Sequence, residues 1–128
     1  MKISIEKNII FKSLSHVQSI VEKRNTIPVL SNILIEAKDN ILTLSATDMD
    51  ISITETTSCN VIEAGSVTVP AHTLYDIIRK IPDGNEIEFI SNDGKRFSIR
   101  AGKSKFSLSC LPKEDFPVIE VDKLKSEL

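Results

Sequence analysis

The sequence predicts an α+β domain in which one unit, a strand followed by a helix and three further strands, occurs twice. Two stretches, 8–23 and 71–81, carry apolar residues at the spacing of one helix face. A short alternating stretch precedes each helix, and three alternating stretches joined by short turns follow it, which is typical of an antiparallel meander. The units span about 1–60 and 65–111, and their similarity lies in the order of elements.

The composition bounds the class of protein. The chain has 128 residues, of which 41% are hydrophobic and 27% charged, so we expect one soluble globular domain. The net charge of -2 excludes a generally basic nucleic-acid binder, so any anion binding must come from local charge. No apolar run is long enough to span a membrane, and the opening stretch does not resemble a signal peptide, which favours a cytoplasmic location.

The first unit opens with a half-buried strand in which Ile3 and Ile5 share a side. The helix that follows has an apolar face made of Ile10, Leu14, Val17 and Val21. Its opposite face consists of Lys12, His16, Ser19 and Lys23. We expect the helix to end near Arg24, because Pro28 disfavours helical backbone at the residue before it. The segment 26–32 is then predicted to be an apolar, extended linker, and strands are predicted over 33–37, 41–46 and 51–57.

The second unit repeats this order. A short strand over 66–69 leads into a helix over 71–81, which Pro82 ends. The apolar stripe of this helix is Leu74, Ile77, Ile78 and Ile81, and the residues away from it are His72, Asp76, Arg79 and Lys80. Strands are predicted over 86–91, 95–100 and 103–110. Burying both stripes on the sheets places the two helices side by side, with both polar faces on one surface.

The candidates for metal or catalytic chemistry are few. Cys59 and Cys110 fall at the ends of equivalent third strands and are interpreted as buried free thiols. Asp48 and Asp50 flank one residue of a turn, where carboxylates usually serve turn geometry rather than a metal. No motif places a nucleophile beside His16, and no glycine-rich phosphate loop is present. We therefore predict no catalysis, no metal and no cofactor.

Five short segments, with the opening residues 1–3, resemble one known family. The segments are RNTIPVLSN at 24–32, ATD at 46–48, VPA at 69–71, FSLSCLP at 106–112 and DFP at 115–117. Together they resemble the N-terminal domain of the bacterial β sliding clamp, the processivity subunit of DNA polymerase III. The resemblance covers essentially the whole chain, and its specificity lies in the set and its order.

The resemblance implies a DNA-clamp fold and a function without catalysis. Chains of that family carry three such domains, and two chains close head to tail into a ring that encircles duplex DNA and tethers the polymerase. It also implies that the clamp loader and the polymerase III alpha subunit bind through later domains. The sequence ends at Leu128, where a second domain would begin. We therefore expect an excised first domain, with 112–128 as the linker toward the missing domain.

Two sets of site residues follow from the charges and the resemblance. The expected DNA-binding residues are Arg24, Lys12, Lys23, His72, Arg79 and Lys80. Arg24 matches a family arginine that touches DNA, whereas His72 stands where the family often has an arginine. The resemblance places the subunit interface at Ile77, Lys103, Lys105, Phe106 and Leu108. From the sequence alone, the alternative interpretation of the helix cations is an ordinary solvated helix face. The alternative interpretation of Phe106 and Leu108 is that they are inward-facing core residues.

A competing class of function remains open at this stage. A sheet with a free edge strand can capture an extended peptide without touching DNA. Reversing the charges of Lys12 and Lys23 distinguishes the two classes, because it should abolish DNA loading of the full-length ring and leave peptide capture intact.

Overall fold

The computed structural model describes residues 1–22, 28–48, 50–92, 95–111 and 113–117. Within these ranges the chain forms two α-helices and nine strands, and the nine strands form two antiparallel sheets. The elements of the first unit are β1 (Lys2–Glu6), α1 (Lys7–Gln18), β2 (Asn32–Lys38), β3 (Ile41–Thr47) and β4 (Ser52–Ser58). A short strand, β5 (Asn60–Glu63), separates the units. The elements of the second unit are β6 (Gly65–Pro70), α2 (Ala71–Lys80), β7 (Glu86–Ile90), β8 (Arg96–Ala101) and β9 (Ser104–Ser109).

The two units interlock, because the first strand of each pairs with the meander of the other. The five-stranded sheet has the order β5-β1-β7-β8-β9, and the four-stranded sheet has the order β4-β3-β2-β6. Ile3 of β1 lies opposite Phe89 of β7, and Val67 of β6 lies opposite Ile35 of β2. The predicted α+β class and its twofold repeat are confirmed, and the exchange of strands makes the repeat a single domain.

One hydrophobic core joins both sheets to both helices. Alternate residues of the strands point inward, as period-2 patterning requires, and Phe89 and Phe97 pack with ring centroids 5.0 Å apart. The predicted apolar face of α1 is buried, and so are Leu74, Ile78 and Ile81 of the second stripe, while Ile77 is half-buried. The two helices pack against each other, which confirms their side-by-side arrangement.

Three local predictions were wrong. The first helix ends at Gln18 and not near Arg24, because the Val21 amide bonds the Gln18 carbonyl at 3.1 Å and tightens the end into a 3₁₀ turn. The segment predicted as extended contains a 3₁₀ turn over Pro28–Ser31. The strand β5 was missed, since it follows the third meander strand after one residue and pairs with β1.

The chain after β9 remains packed on the domain for several residues. Leu111 forms two backbone hydrogen bonds of 3.0 Å with Thr68, which fastens the end of β9 to β6 of the other sheet. Phe116 is buried, and Lys113 lies 3.3 Å from the Glu36 carboxylate. Lys113 to Pro117 therefore belong to the domain's packing, and the remainder of the expected linker, 112 and 118–128, lies outside the described residues.

The start of β6 requires glycine, because Met1 packs directly on it. A Cβ built at Gly65 would lie 2.8 Å from the Met1 Cβ, and Met1 is held in place by the 2.6 Å bond from its amine to the Ser91 carbonyl.

We expect Gly65→Ala to lower the free energy of unfolding by about 1–3 kcal/mol through overpacking, measured by urea denaturation. Ser66→Ala, one residue later and on the other face of β6, is the control. Equal stability of the two variants would contradict this packing.

Candidate nucleic-acid interface and subunit edge

The helices α1 and α2 form an antiparallel pair held at both ends and in the middle. At one end the Lys7 ammonium lies 2.7 Å from the Asp83 carboxylate. In the middle, the rings of Phe11 and Tyr75 stack with centroids 5.4 Å apart. At the other end, the His72 ring bonds the main-chain carbonyl that follows α1. The pair therefore has a fixed geometry, and the sides of the helices that face away from the core form one surface.

Three of the predicted DNA-binding cations lie on the exposed sides of these helices. Lys12 of α1 and Lys80 of α2 are exposed and form no ion pair with any other described residue. The Arg79 guanidinium lies 3.6 Å from the Asp76 carboxylate, one helical turn earlier, and both side chains are more than half exposed. A surface pair of this kind is weak and exchanges readily with another anion. Lys23 and Arg24 lie outside the described residues.

The two histidines near this surface are both engaged by the protein. The His16 Nδ1 atom lies 2.7 Å from a Glu55 carboxylate oxygen of β4, so this ring ties α1 to the edge of the four-stranded sheet. The His72 Nε2 atom lies 2.6 Å from the carbonyl oxygen of Val21. His72 is half-buried, in contrast to the three exposed cations.

Long cations with few fixed partners suit contact with a phosphate backbone. Phosphate contacts position a protein on a duplex but carry no sequence information, whereas reading bases needs side chains fixed against the base edges. One acidic side chain, Asp76, stands beside Arg79 and limits the local positive charge. The surface can therefore support weak contact that does not depend on sequence.

The predicted interface residues of the last meander strand lie at the edge of the five-stranded sheet. Phe106 and Leu108 share the inward side of β9 and are half-buried against the core, because no further strand covers them in the described residues. Lys103 and Lys105 are exposed. Ile77 lies on α2, and β6 contacts both α2 and β9. The two interpretations of Phe106 and Leu108 are thus compatible, since they are inward residues on an open edge.

The Asp48 carboxylate serves local structure, and of the two thiols predicted to be buried, Cys110 is buried whereas Cys59 is half-buried. The Asp48 carboxylate accepts hydrogen bonds from the amides of Asp50 and Ile51, which is turn chemistry. Burial raises the pKa of the Cys59 thiol, which keeps it protonated near neutral pH, and Cys110 is buried. Across the described ranges, no group of His, Cys, Asp or Glu has the arrangement of a metal site. No helix in those ranges is long and apolar enough to cross a membrane.

The contacts that fix the helix pair were not predicted from the sequence. Lys7 is buried, its ammonium lies 4.6 Å from the Phe11 ring centroid, and the i, i+4 spacing of these two residues is the signal that was available. The partners Asp83, Tyr75 and Glu55 come from distant parts of the chain, and only the assembled fold brings them together.

Comparison with known proteins agrees with this architecture. The sequence model described as the DNA polymerase III beta subunit, N-terminal domain, matches residues 1–120. A beta sliding clamp from Caulobacter vibrioides is 48% identical over 129 residues, which cover all of this chain and 35% of that protein. A beta sliding clamp from Vibrio harveyi is 40% identical over 121 residues, covering 94% of this chain and 83% of that sequence. The chain thus spans about a third of the length of the first of these relatives.

Solved structures show the same fold. A sliding clamp from Bartonella birtlesii superposes with a TM-score of 0.89 at 49% identity, over 93% of this chain and 32% of that one. The pol III beta structure from Caulobacter crescentus gives a TM-score of 0.90 at 49% identity, over 95% of this chain and 33% of that one. By sequence and by fold, the chain belongs to the DNA polymerase III beta subunit family, of which it represents the N-terminal domain.

Proposed function

We propose that this chain is one arc of a ring that encircles duplex DNA and acts as a processivity factor of the replicative polymerase. The observation that carries the proposal is the pairing of α1 and α2, which directs the exposed cations of both helices to one surface while the sheets lie behind it. The name that the relatives share, beta sliding clamp, supports the same function. A ring of this kind stays on DNA by enclosure, so its individual contacts can remain weak.

The proposed DNA surface comprises Lys12, Arg79 and Lys80, together with Lys23 and Arg24. The exposure of the first three and the weak Asp76 partner of Arg79 support this assignment. An isolated domain with so few free cations should bind duplex only at the weak end of non-specific affinity, on the order of 10⁻⁴ M at physiological salt. Weak contacts that do not read sequence are what sliding requires.

The proposed subunit interface is the open edge of β9. Phe106 and Leu108 offer half-covered apolar side chains, and Lys103 and Lys105 offer cations to an acidic partner surface. Ile77 extends this surface onto α2. Burial of such an edge by another chain would complete the sheet and cover the apolar side chains. The partner is a second copy of the full-length clamp subunit, joined head to tail.

The wider role is proposed from the family and from the length of the relatives. The domain performs no catalysis, and the polymerase chemistry belongs to other subunits of the holoenzyme. The polymerase III alpha subunit and the clamp loader bind through domains beyond this one, joined by the part of the expected linker that follows the packed residues 113–117. The site of action is the cytoplasm. A peptide-binding module that does not contact DNA is the competing proposal, and the open edge of β9 is the observation that favours it.

Charge reversal on α1 tests the DNA surface. In the full-length protein, the double change Lys12→Glu and Lys23→Glu should abolish loading onto DNA, because repulsion replaces attraction to phosphate. Lys12→Glu alone should make the slope of log affinity against log salt shallower by roughly 0.9 for each phosphate that is no longer neutralised, measured by fluorescence anisotropy on a short duplex. The matched control is Lys38→Glu, an exposed lysine at the end of β2. Equal behaviour of Lys12→Glu and Lys38→Glu would remove α1 from the DNA surface.

Substitution at the edge of β9 tests the subunit interface. The present chain should self-associate weakly at high concentration, and Leu108→Asp should leave it monomeric in sedimentation velocity. In the full-length protein the same change should weaken the dimer by more than about 2 kcal/mol, roughly thirtyfold. Lys105→Glu, on the exposed face of β9, should also weaken the dimer while leaving the core untouched.

The control for this test is Ile62→Asp. Ile62 is 56% exposed and lies on β5, the opposite edge strand of the same sheet. It should leave the association unchanged, and circular dichroism should show that each variant is folded. An ideal monomer at high concentration for the unsubstituted chain would count against the interface assignment.

A further inference from the structure

We propose that His72 is a positioning residue that fastens the end of α1 to the start of α2, and that it does not bind phosphate. The proposal rests on the proposed function and deepens it, since it separates one residue of the expected DNA surface from the others. His72 is the second residue of α2, half-buried, and its ring points to the chain that leaves α1.

The hydrogen bond fixes the tautomer of the ring. Nε2 lies 2.6 Å from the Val21 carbonyl oxygen, and a carbonyl oxygen can only accept, so Nε2 carries the proton. In the neutral ring the other nitrogen, Nδ1, then has no proton and cannot donate to a phosphate oxygen. The Nε2 donor of His72 is therefore used inside the protein.

The accepting carbonyl lies where the chain leaves α1. Val21 lies three residues beyond Gln18, so its carbonyl belongs to no helical ladder, and a partly buried backbone carbonyl of this kind needs a donor from elsewhere. Val21 is 6% exposed, and its own amide bonds Gln18, so the residue is fixed by its side chain, its amide and its carbonyl together. Removal of the imidazole leaves this carbonyl without the donor and frees one of the three constraints.

The contact has a counterpart at the opposite end of the helix pair. There the Lys7 side chain, at the start of α1, reaches Asp83 beyond the end of α2. Each helix start thus binds the segment beyond the other helix's end, with the stacked Phe11 and Tyr75 between them. This arrangement holds the cations of α1 and α2 at a fixed separation, and that separation decides whether both can meet one duplex.

Hydrogen exchange tests the contact itself. In the full-length protein, His72→Ala should speed amide exchange at residues 19–22 roughly tenfold, which corresponds to removal of a hydrogen bond worth about 1.4 kcal/mol. His72→Gln should restore protection, because its amide nitrogen can donate to the same carbonyl. Thr73→Ala, at the next and exposed position of α2, is the control. Unchanged exchange in His72→Ala would overturn the proposal.

The salt dependence of duplex binding tests the role. If His72 is a positioning residue, His72→Ala should weaken duplex binding at every salt concentration, and His72→Gln should restore it. The unsubstituted protein and both variants should then share one slope of log affinity against log salt. A phosphate contact predicts that both variants reduce the slope, by roughly 0.9 per contact, and that His72→Arg regains it. That second pattern would overturn the proposal. If the unsubstituted protein fails to bind duplex while exchange responds as expected, the proposed function fails and the contact stands.

Discussion

The burial of two helices against two interlocked sheets is the interaction on which the other features of this domain depend. β1 pairs with β7 and β6 pairs with β2, so neither unit can complete its sheet alone. The inward side chains of both sheets and both helices form one core cluster. Because each helix must direct its apolar face to that core, its polar face must point away from the sheets, and the proposed DNA surface follows from core packing.

The same constraint explains why net charge says little about function. The chain is slightly acidic, yet the acids and cations are distributed by the fold. Lys12 and Lys80 face away from the sheets, where ionic screening keeps contacts weak and reversible. The open edge of β9 is a second consequence, since a sheet that is not closed must end in a strand with an unpaired side. The fold therefore supplies a weakly charged helix surface and an edge strand with one unpaired side.

Periodicity predicted most of the fold because it records which side of an element is buried. Ile10, Leu14 and Val17 give the face of α1 directly, and the alternating stretches give the strands. The end of α1 was harder, because Val21 continues the helical spacing while its backbone has already turned. The exchange of strands was not predictable, since a pattern within one strand does not specify its partner.

The candidate site was predicted in part. Exposed cations at helical spacing can be identified from the sequence, and Lys12, Arg79 and Lys80 are exposed as that spacing predicts. The engagement of His72 could not be identified, because its partner is a main-chain carbonyl 51 positions away. Because every residue has a main-chain carbonyl, the residue type does not show which carbonyl accepts the bond. Only the antiparallel packing of the helices brings the two atoms together.

Retention on DNA of different topology distinguishes enclosure of the duplex from direct contact with it. The gene product at its natural length is loaded onto nicked circular duplex with a clamp loader, and the circle is then linearised. A protein held by enclosure should be retained on the circle and released from the linear form, because it can slide off a free end. Equal retention on both forms would contradict enclosure and make the cationic helix surface a direct binding site. Absence of retention on either form would mean that this surface is an ordinary solvated helix face that does not bind DNA.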